Sequence, residues 1–207
     1  MDSAGDRRPI AARGLRPVVA AADWLIRRQA SPDGISLAGM VAALGAGLLF
    51  AGTGALPGPA PWLLGALLVQ ARLMANLLDG MVALGRGVAS PVGELFNEVP
   101  DRVSDTAILA GLGWAAGQPA LGLLAALAAM ATAYVRAVGR GLGLPSDFCG
   151  PMAKQQRMAV ATALAMGCAL ASGWAGTILM WGLWAITALS LLTAGRRLLR
   201  IARALRR

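Results

Sequence analysis

Three long stretches of this chain contain no Asp, Glu, Lys or Arg: 34–71, 106–135 and 158–195. Roughly 20 apolar residues are enough for a helix to cross a bilayer, so each stretch is long enough for an outbound and a return crossing joined by an uncharged turn. The turns read as Gly52 to Pro61, Gly117 to Pro119 and Gly173 to Gly176. The chain is 57% hydrophobic and 14% charged, whereas soluble domains carry about 25% charged residues. The sequence therefore predicts an all-α, polytopic membrane protein.

The 19 cations fall into four clusters, with six in 1–33, three in 72–105, four in 136–157 and six in 196–207. Cytoplasmic loops carry the Lys/Arg excess. Placing all four clusters on that side predicts six spans in an inner membrane, with both termini cytoplasmic. The formal net charge of +9 suits anionic headgroups. No soluble basic domain is present to bind nucleic acid. Cys149 and Cys168 match no metal spacing, and a cytoplasmic Cys149 argues against a disulfide. The opening MDSAGDRRPIAARG has no apolar core directly behind its charges, unlike a cleaved signal peptide.

The chain divides into three parts. Residues 1–30 form a tail and, over 17–28, a short amphipathic helix at the interface anchored by Trp24. Residues 31–195 form the six-span bundle, and 196–207 a basic cytoplasmic tail continuing the last helix. Ser31-Pro32-Asp33-Gly34 is a break before the first span. The Gly-rich stretches lack the strand and lysine of nucleotide-binding loops.

The second and third spans are not purely apolar. They carry Arg72, Asn76, Asp79, Glu94, Asn97, Glu98, Asp101, Arg102 and Asp105, and ionisable groups within spans usually face a cavity or a partner. At about 100° per residue, Asn97, Asp101 and Asp105 sit at roughly 0°, 40° and 80°, and Glu98 at about 100°. One helix face thus collects them, near Asn76 and Asp79 on the second span. Such an oxygen cluster suits hard cations such as Mg²⁺, Mn²⁺ or Ca²⁺. The alternative reading is a structural ion-pair network with Arg72, Arg86 and Arg102. The chain has no histidine, so a general base would be a carboxylate, a thiol or a water.

The stretch 76–105, NLLDGMVALGRGVASPVGELFNEVPDRVSD, resembles the signature of the CDP-alcohol phosphotransferases, D-x-x-D-G-x-x-A-R-x8-G-x3-D-x3-D. Asp79, Gly80, Ala83, Gly93 and Asp101 match at the family spacing. Asn76 and Asn97 stand where the family has Asp, and Leu84 where it has Arg. Ser31-Pro32-Asp33 resembles the family's Thr-Pro-Asn. Tyr134 to Ala137 and Gly150 to Arg157 resemble its downstream basic motifs.

The resemblance implies transfer of a phosphatidyl group from CDP-diacylglycerol to a small alcohol, with release of CMP, by a homodimer. It implies two metal ions, Mg²⁺ or Mn²⁺, bridging the pyrophosphate and held by Asn76, Asp79, Asn97, Asp101 and Asp105. In that scheme Asp101 is the base. Gly80, Ala83 and Gly93 admit the nucleotide, and Arg86 covers part of the missing arginine's role. It further implies an acceptor-phosphate pocket of Arg136, Lys154 and Arg157, with glycerol 3-phosphate favoured. The two Asn-for-Asp positions keep a second class open, a catalytically silent relative that binds lipid or a partner enzyme. A cation-coupled transporter is a third, although the inverted repeat it would favour is not evident.

Overall fold

The computed structural model describes residues 14–88 and 91–206, apart from the side chains of Pro91 and Glu94. Seven α-helices make up the described chain: α1 Arg16–Arg27, α2 Pro32–Ala51, α3 Ala60–Gly85, α4 Pro91–Ala115, α5 Pro119–Gly141, α6 Lys154–Leu170 and α7 Ala175–Leu205. The all-α expectation holds, with no strand among the described residues.

The helix starts follow from local chemistry. The Ser31 hydroxyl accepts from the Gly34 N–H at 3.3 Å, Pro32 fills the first position and Asp33 the first turn. That is a capped N-terminus with an acidic residue at the positive end of the helix. The segment predicted as a break is thus the cap of α2. Pro119 likewise opens α5, after a turn in which Gly117 holds φ +67°. The basic tail is helical, since α7 runs unbroken through Arg196 and Arg203.

Four helical segments are long and apolar enough to cross a membrane: Pro32–Gly54, Ala60–Gly85, Pro119–Gly141 and Ser172–Leu205. The expected count was six. The difference lies in α4, whose first half carries Glu94, Glu98, Asp101, Arg102 and Asp105, and in α6, which has 17 residues and opens on Lys154 and Arg157. Both are helices that bring charge into the bundle. Leu48, Leu67, Leu127 and Leu170 are exposed on the outside, as expected of surfaces that face lipid tails rather than water.

α2 lies against both α3 and α4, α5 against α4 and α7, and α6 against α3 and α7. Glycines set these distances. A Cβ on Gly111 would meet the Gly47 Cα at 2.8 Å and its carbonyl closer still, and one on Gly122 would meet the Leu109 carbonyl oxygen at 2.7 Å. Small residues of this kind let helix backbones touch where no hydrophobic effect drives association. Where α2 ends and α3 begins, the core is closed by Phe50 stacked on Trp62, centroids 6.0 Å apart. Gly111→Val should therefore force α2 from α4 and cost about 1–3 kcal/mol or more. Gly176→Ala, where a Cβ meets open space, should leave thermal unfolding in detergent unchanged.

Candidate active site

The charged half of α4 meets the C-terminal half of α3, the start of α6 and the start of α2. Arg72, in the middle of α3, is 1% exposed. It fits because α2 has glycine opposite: a Cβ on Gly39 would lie 2.8 Å from Arg72 Nη1 and 2.7 Å from the Ala75 Cβ.

Three donors converge on one oxygen. Asp101 Oδ1 accepts from Arg72 Nη2, from Lys154 Nζ and, at 2.8 Å, from Asn76 Nδ2. Those donors come from α3 and α6, so this carboxylate ties three helices together. Asp101 Oδ2 has a single cation nearby, Arg102 at 3.5 Å. One turn on, Asp105 Oδ2 accepts from Arg157 Nη2 at 2.5 Å, with both side chains almost fully enclosed. Arg157 Nη1 also reaches the Met152 carbonyl at 3.2 Å. Asp79 accepts from the Ser36 hydroxyl and from the Gly80 N–H, both at 2.5 Å. Arg136, near the end of α5, pairs with Glu98 and lies over the Phe148 ring at 5.5 Å.

The candidate residues thus fall into two groups. Asn76, Asp101 and Lys154 are brought into contact, as are Asp105 and Arg157. Asn97 is exposed. Arg86 Nη1 donates to the Ala30 carbonyl at 2.6 Å and so anchors the segment between α1 and α2. Gly80 adjoins the cluster through its N–H, while Ala83 and Gly93 continue the flanks of α3 and α4. The cations read as an acceptor pocket each have an internal carboxylate, Glu98 for Arg136, Asp101 for Lys154 and Asp105 for Arg157. Of the ion-pair network weighed as an alternative, Arg72 and Arg102 take part.

Sequence reasoning missed Ser36, Gly39 and Arg197. The first two lie in a stretch with no charge to mark them. Arg197 sits in a run of basic residues, yet it is buried and functions as a clamp. Its Nε donates to the Cys149 carbonyl at 3.0 Å and its Nη1 to the Thr132 carbonyl at 2.8 Å. The loop 142–153 is further held by Met152 N–H to Thr193 Oγ1 at 3.0 Å. Beside it opens a cavity of about 400 Å³ lined by Cys149, Gly150, Arg196, Leu199, Arg200 and Arg203.

Two titratable groups of that loop are displaced. Burial raises the Asp147 carboxyl, but hydrogen bonds from Cys149 and the nearby Arg200 outweigh it and hold the group below its ordinary value. Burial, reinforced by Asp147, pushes the Cys149 thiol up. Cys149 is therefore protonated at neutral pH and is no ready nucleophile.

No family profile matches the chain. It is 31% identical to the phosphatidylinositol phosphate synthase of Mycobacteroides abscessus over 86% of this chain and 80% of that protein. A crystal structure of Mycobacterium tuberculosis phosphatidylinositol phosphate synthase (PgsA1) with CDP-DAG bound has the same fold, at a TM-score of 0.73 and 23% identity over 90% of this chain and 94% of that one. A second, in complex with manganese and citrate, gives 0.74 and 23% over 89% and 88%.

The manganese in that neighbour prompts the question of whether the residues here fit a divalent ion. As arranged, they do not. Among the described residues no three His, Cys, Asp or Glu side chains converge on a common point. Of the five expected ligands, Asn97 faces outward and Asn76 turns its N–H₂ toward Asp101. Asp105 gives Oδ2 to Arg157, while its Oδ1 and that of Asn76 are enclosed without a hydrogen-bond partner. Arg72 and Lys154 both contact Asp101, so an approaching cation meets a carboxylate whose charge is already offset.

Proposed function

Because this chain belongs to the CDP-alcohol phosphotransferase family, we propose that it transfers the phosphatidyl group of CDP-diacylglycerol to a small phosphorylated alcohol. The observation that carries this reading is Asp101. It occupies the last acidic position of the family signature and is the carboxylate on which α3, α4 and α6 converge.

In the proposed reaction the acceptor hydroxyl attacks the phosphorus that bears diacylglycerol. The bond from that phosphorus to the CMP oxygen breaks, CMP leaves, and the hydroxyl proton passes to Asp101 Oδ2. Oδ2 suits that role because the three donors all sit on Oδ1. A positioned general base contributes about 10²–10⁴ in rate. Lys154 has two further protons with which to meet the diphosphate. We place α4 and α6 across the membrane with the four long helices, giving six spans in the inner membrane and α1 lying at its surface. The site and both termini then face the cytoplasm, 31–195 is the catalytic unit, 196–207 is a basic tail, and two copies form a homodimer.

The acceptor's phosphate finds support in the basic cavity between the loop before α6 and the C-terminal part of α7. Arg136 connects it to the cluster, through Glu98 on one side and Phe148 on the other. Phosphate recognition there would use arginine forks. We favour inositol phosphate over glycerol 3-phosphate as acceptor, because the similar proteins are named phosphatidylinositol phosphate synthases. An acceptor panel tests this by CMP release. Inositol phosphate should support turnover, glycerol 3-phosphate less, and free inositol or serine none. Equal use of free inositol would remove the phosphate from the reading. The silent-relative reading is favoured by Asn76, Leu84 and Asn97 standing in place of the family's charged residues. It predicts that CDP-diacylglycerol binds without any CMP appearing.

A further inference from the structure

We infer that Arg72 and Lys154 replace a divalent metal at Asp101, so that this chain holds a nucleotide-linked lipid with protein cations and binds no divalent ion there. This rests on the proposed reading of the site as a CDP-lipid site, and it departs from the two-metal arrangement that the family signature implies.

Four observations point the same way. First, the signature's four acidic positions are Asn76, Asp79, Asn97 and Asp101, so two of four formal charges are gone. An amide oxygen can still ligate a hard cation, but it brings no charge to hold one.

Second, the carboxylate that remains at the last signature position already carries two cations in contact. Arg72 and Lys154 both sit on Asp101 Oδ1. Among the described side chains of the cluster, Asp79, Glu98, Asp101 and Asp105 face Arg72, Arg102, Arg136, Lys154 and Arg157. Four carboxylates against five cations leave a site already neutralised, with one positive charge over. A site that recruits divalent ions needs the opposite excess.

Third, Arg72 is built in rather than folded over from a surface. It is 1% exposed, and glycine at position 39 is what gives its guanidinium room. Its Nε and Nη1 are fully enclosed and make no hydrogen bond, so the guanidinium acts at this site through its charge.

Fourth, Asn76 joins the ion-pair cluster through its N–H₂, while its Oδ1 is enclosed without a partner. It gives its N–H₂ to Asp101, the hydrogen bond that an Asp at the same position could not make. The amide is thus the residue that fits a cation-filled site, just as Asp fits a metal-filled one. The enclosed guanidinium can offset a leaving diphosphate by its charge, and the partly exposed ammonium by charge and hydrogen bonds.

The test is Mn²⁺ titration of the purified full-length protein in lipid nanodiscs, read by electron paramagnetic resonance without nucleotide. It is joined to CDP-diacylglycerol binding measured with Mn²⁺ and with chelator. The wild type should show no stoichiometric Mn²⁺ site, and CDP-diacylglycerol affinity should change less than about twofold on chelation. Lys154→Gln added to Asn76→Asp and Asn97→Asp should tighten Mn²⁺ binding at least about tenfold, while the two Asp substitutions alone should gain less, because Lys154 still opposes the ion. Lys154 is partly exposed at a helix start, so this variant tests the charge argument without emptying the Arg72 site. One stoichiometric Mn²⁺ in the wild type, or loss of CDP-diacylglycerol binding on chelation, would overturn the inference. Failure of the lipid to bind under any condition would instead count against the proposed function, and the nucleotide-free titration would still decide the metal question.

Discussion

Asp101→Asn should reduce CMP release by about 10²–10⁴, the usual contribution of a positioned general base. The amide has no atom that can take the acceptor's proton where Oδ2 now stands. The same change also removes the counter-charge of Arg72, which is almost wholly enclosed. Leaving one partner of a buried pair alone typically costs about 3–5 kcal/mol, so loss of rate could come from loss of fold. The double variant Asp101→Asn with Arg72→Met separates the two effects. It no longer buries an unpaired guanidinium, so thermal unfolding should recover toward the wild type while turnover stays lost. Recovery of both stability and turnover would remove Asp101 from the chemistry and leave it a structural residue.

Asp105→Asn and Arg157→Met should each destabilise the bundle by about 3–5 kcal/mol, which would be among the largest single-residue effects in the chain. The pair is joined at 2.5 Å with both side chains nearly free of solvent. Arg157 also carries the Met152 carbonyl, so its loss loosens the loop before α6. The sequence suggests different roles for these residues, Asp105 as an extra metal ligand and Arg157 as a phosphate contact. Each such role predicts a change in metal or acceptor affinity in a protein of normal stability. The geometry predicts the reverse, a loss of stability that the joint substitution Asp105→Leu with Arg157→Met largely restores, because replacing both partners by apolar groups removes the desolvation penalty. Denaturation in detergent reads this directly. A single variant that costs less than about 1 kcal/mol would return Arg157 to the acceptor.

The features legible in the sequence were those encoded within one helix. Charge-free stretches marked the long apolar helices, Ser31-Pro32-Asp33 marked a boundary that proved to be a cap, and the apolar spacing of the basic tail marked α7 as continuous. The stretch 76–105 marked the candidate site. Helical spacing placed Asn97, Asp101 and Asp105 on one side of α4, but the drift of about 40° at each four-residue step moves that line across the surface. The buried arc runs through Asp101, Ser104, Asp105, Ile108 and Leu112, whereas Asn97 is exposed. What remained hidden depended on how helices are rotated against each other. Nothing near Ser36 announces that it will meet Asp79, 43 residues away, and nothing near Gly39 announces that it makes room for Arg72. The burial of Arg197 among exposed arginines is a tertiary property too, since only the packed loop supplies the Cys149 and Thr132 carbonyls.

The most direct measurement of the proposed transfer follows both products at once. The purified chain in nanodiscs is supplied with CDP-diacylglycerol labelled in the cytidine and in the lipid, together with inositol phosphate. CMP and a new phospholipid should form in equal amounts, and both should fall together by about 10²–10⁴ with Asp101→Asn. Binding of CDP-diacylglycerol with no CMP from any alcohol, with or without divalent metal, would contradict the account and make this chain a lipid-binding relative that has lost the reaction.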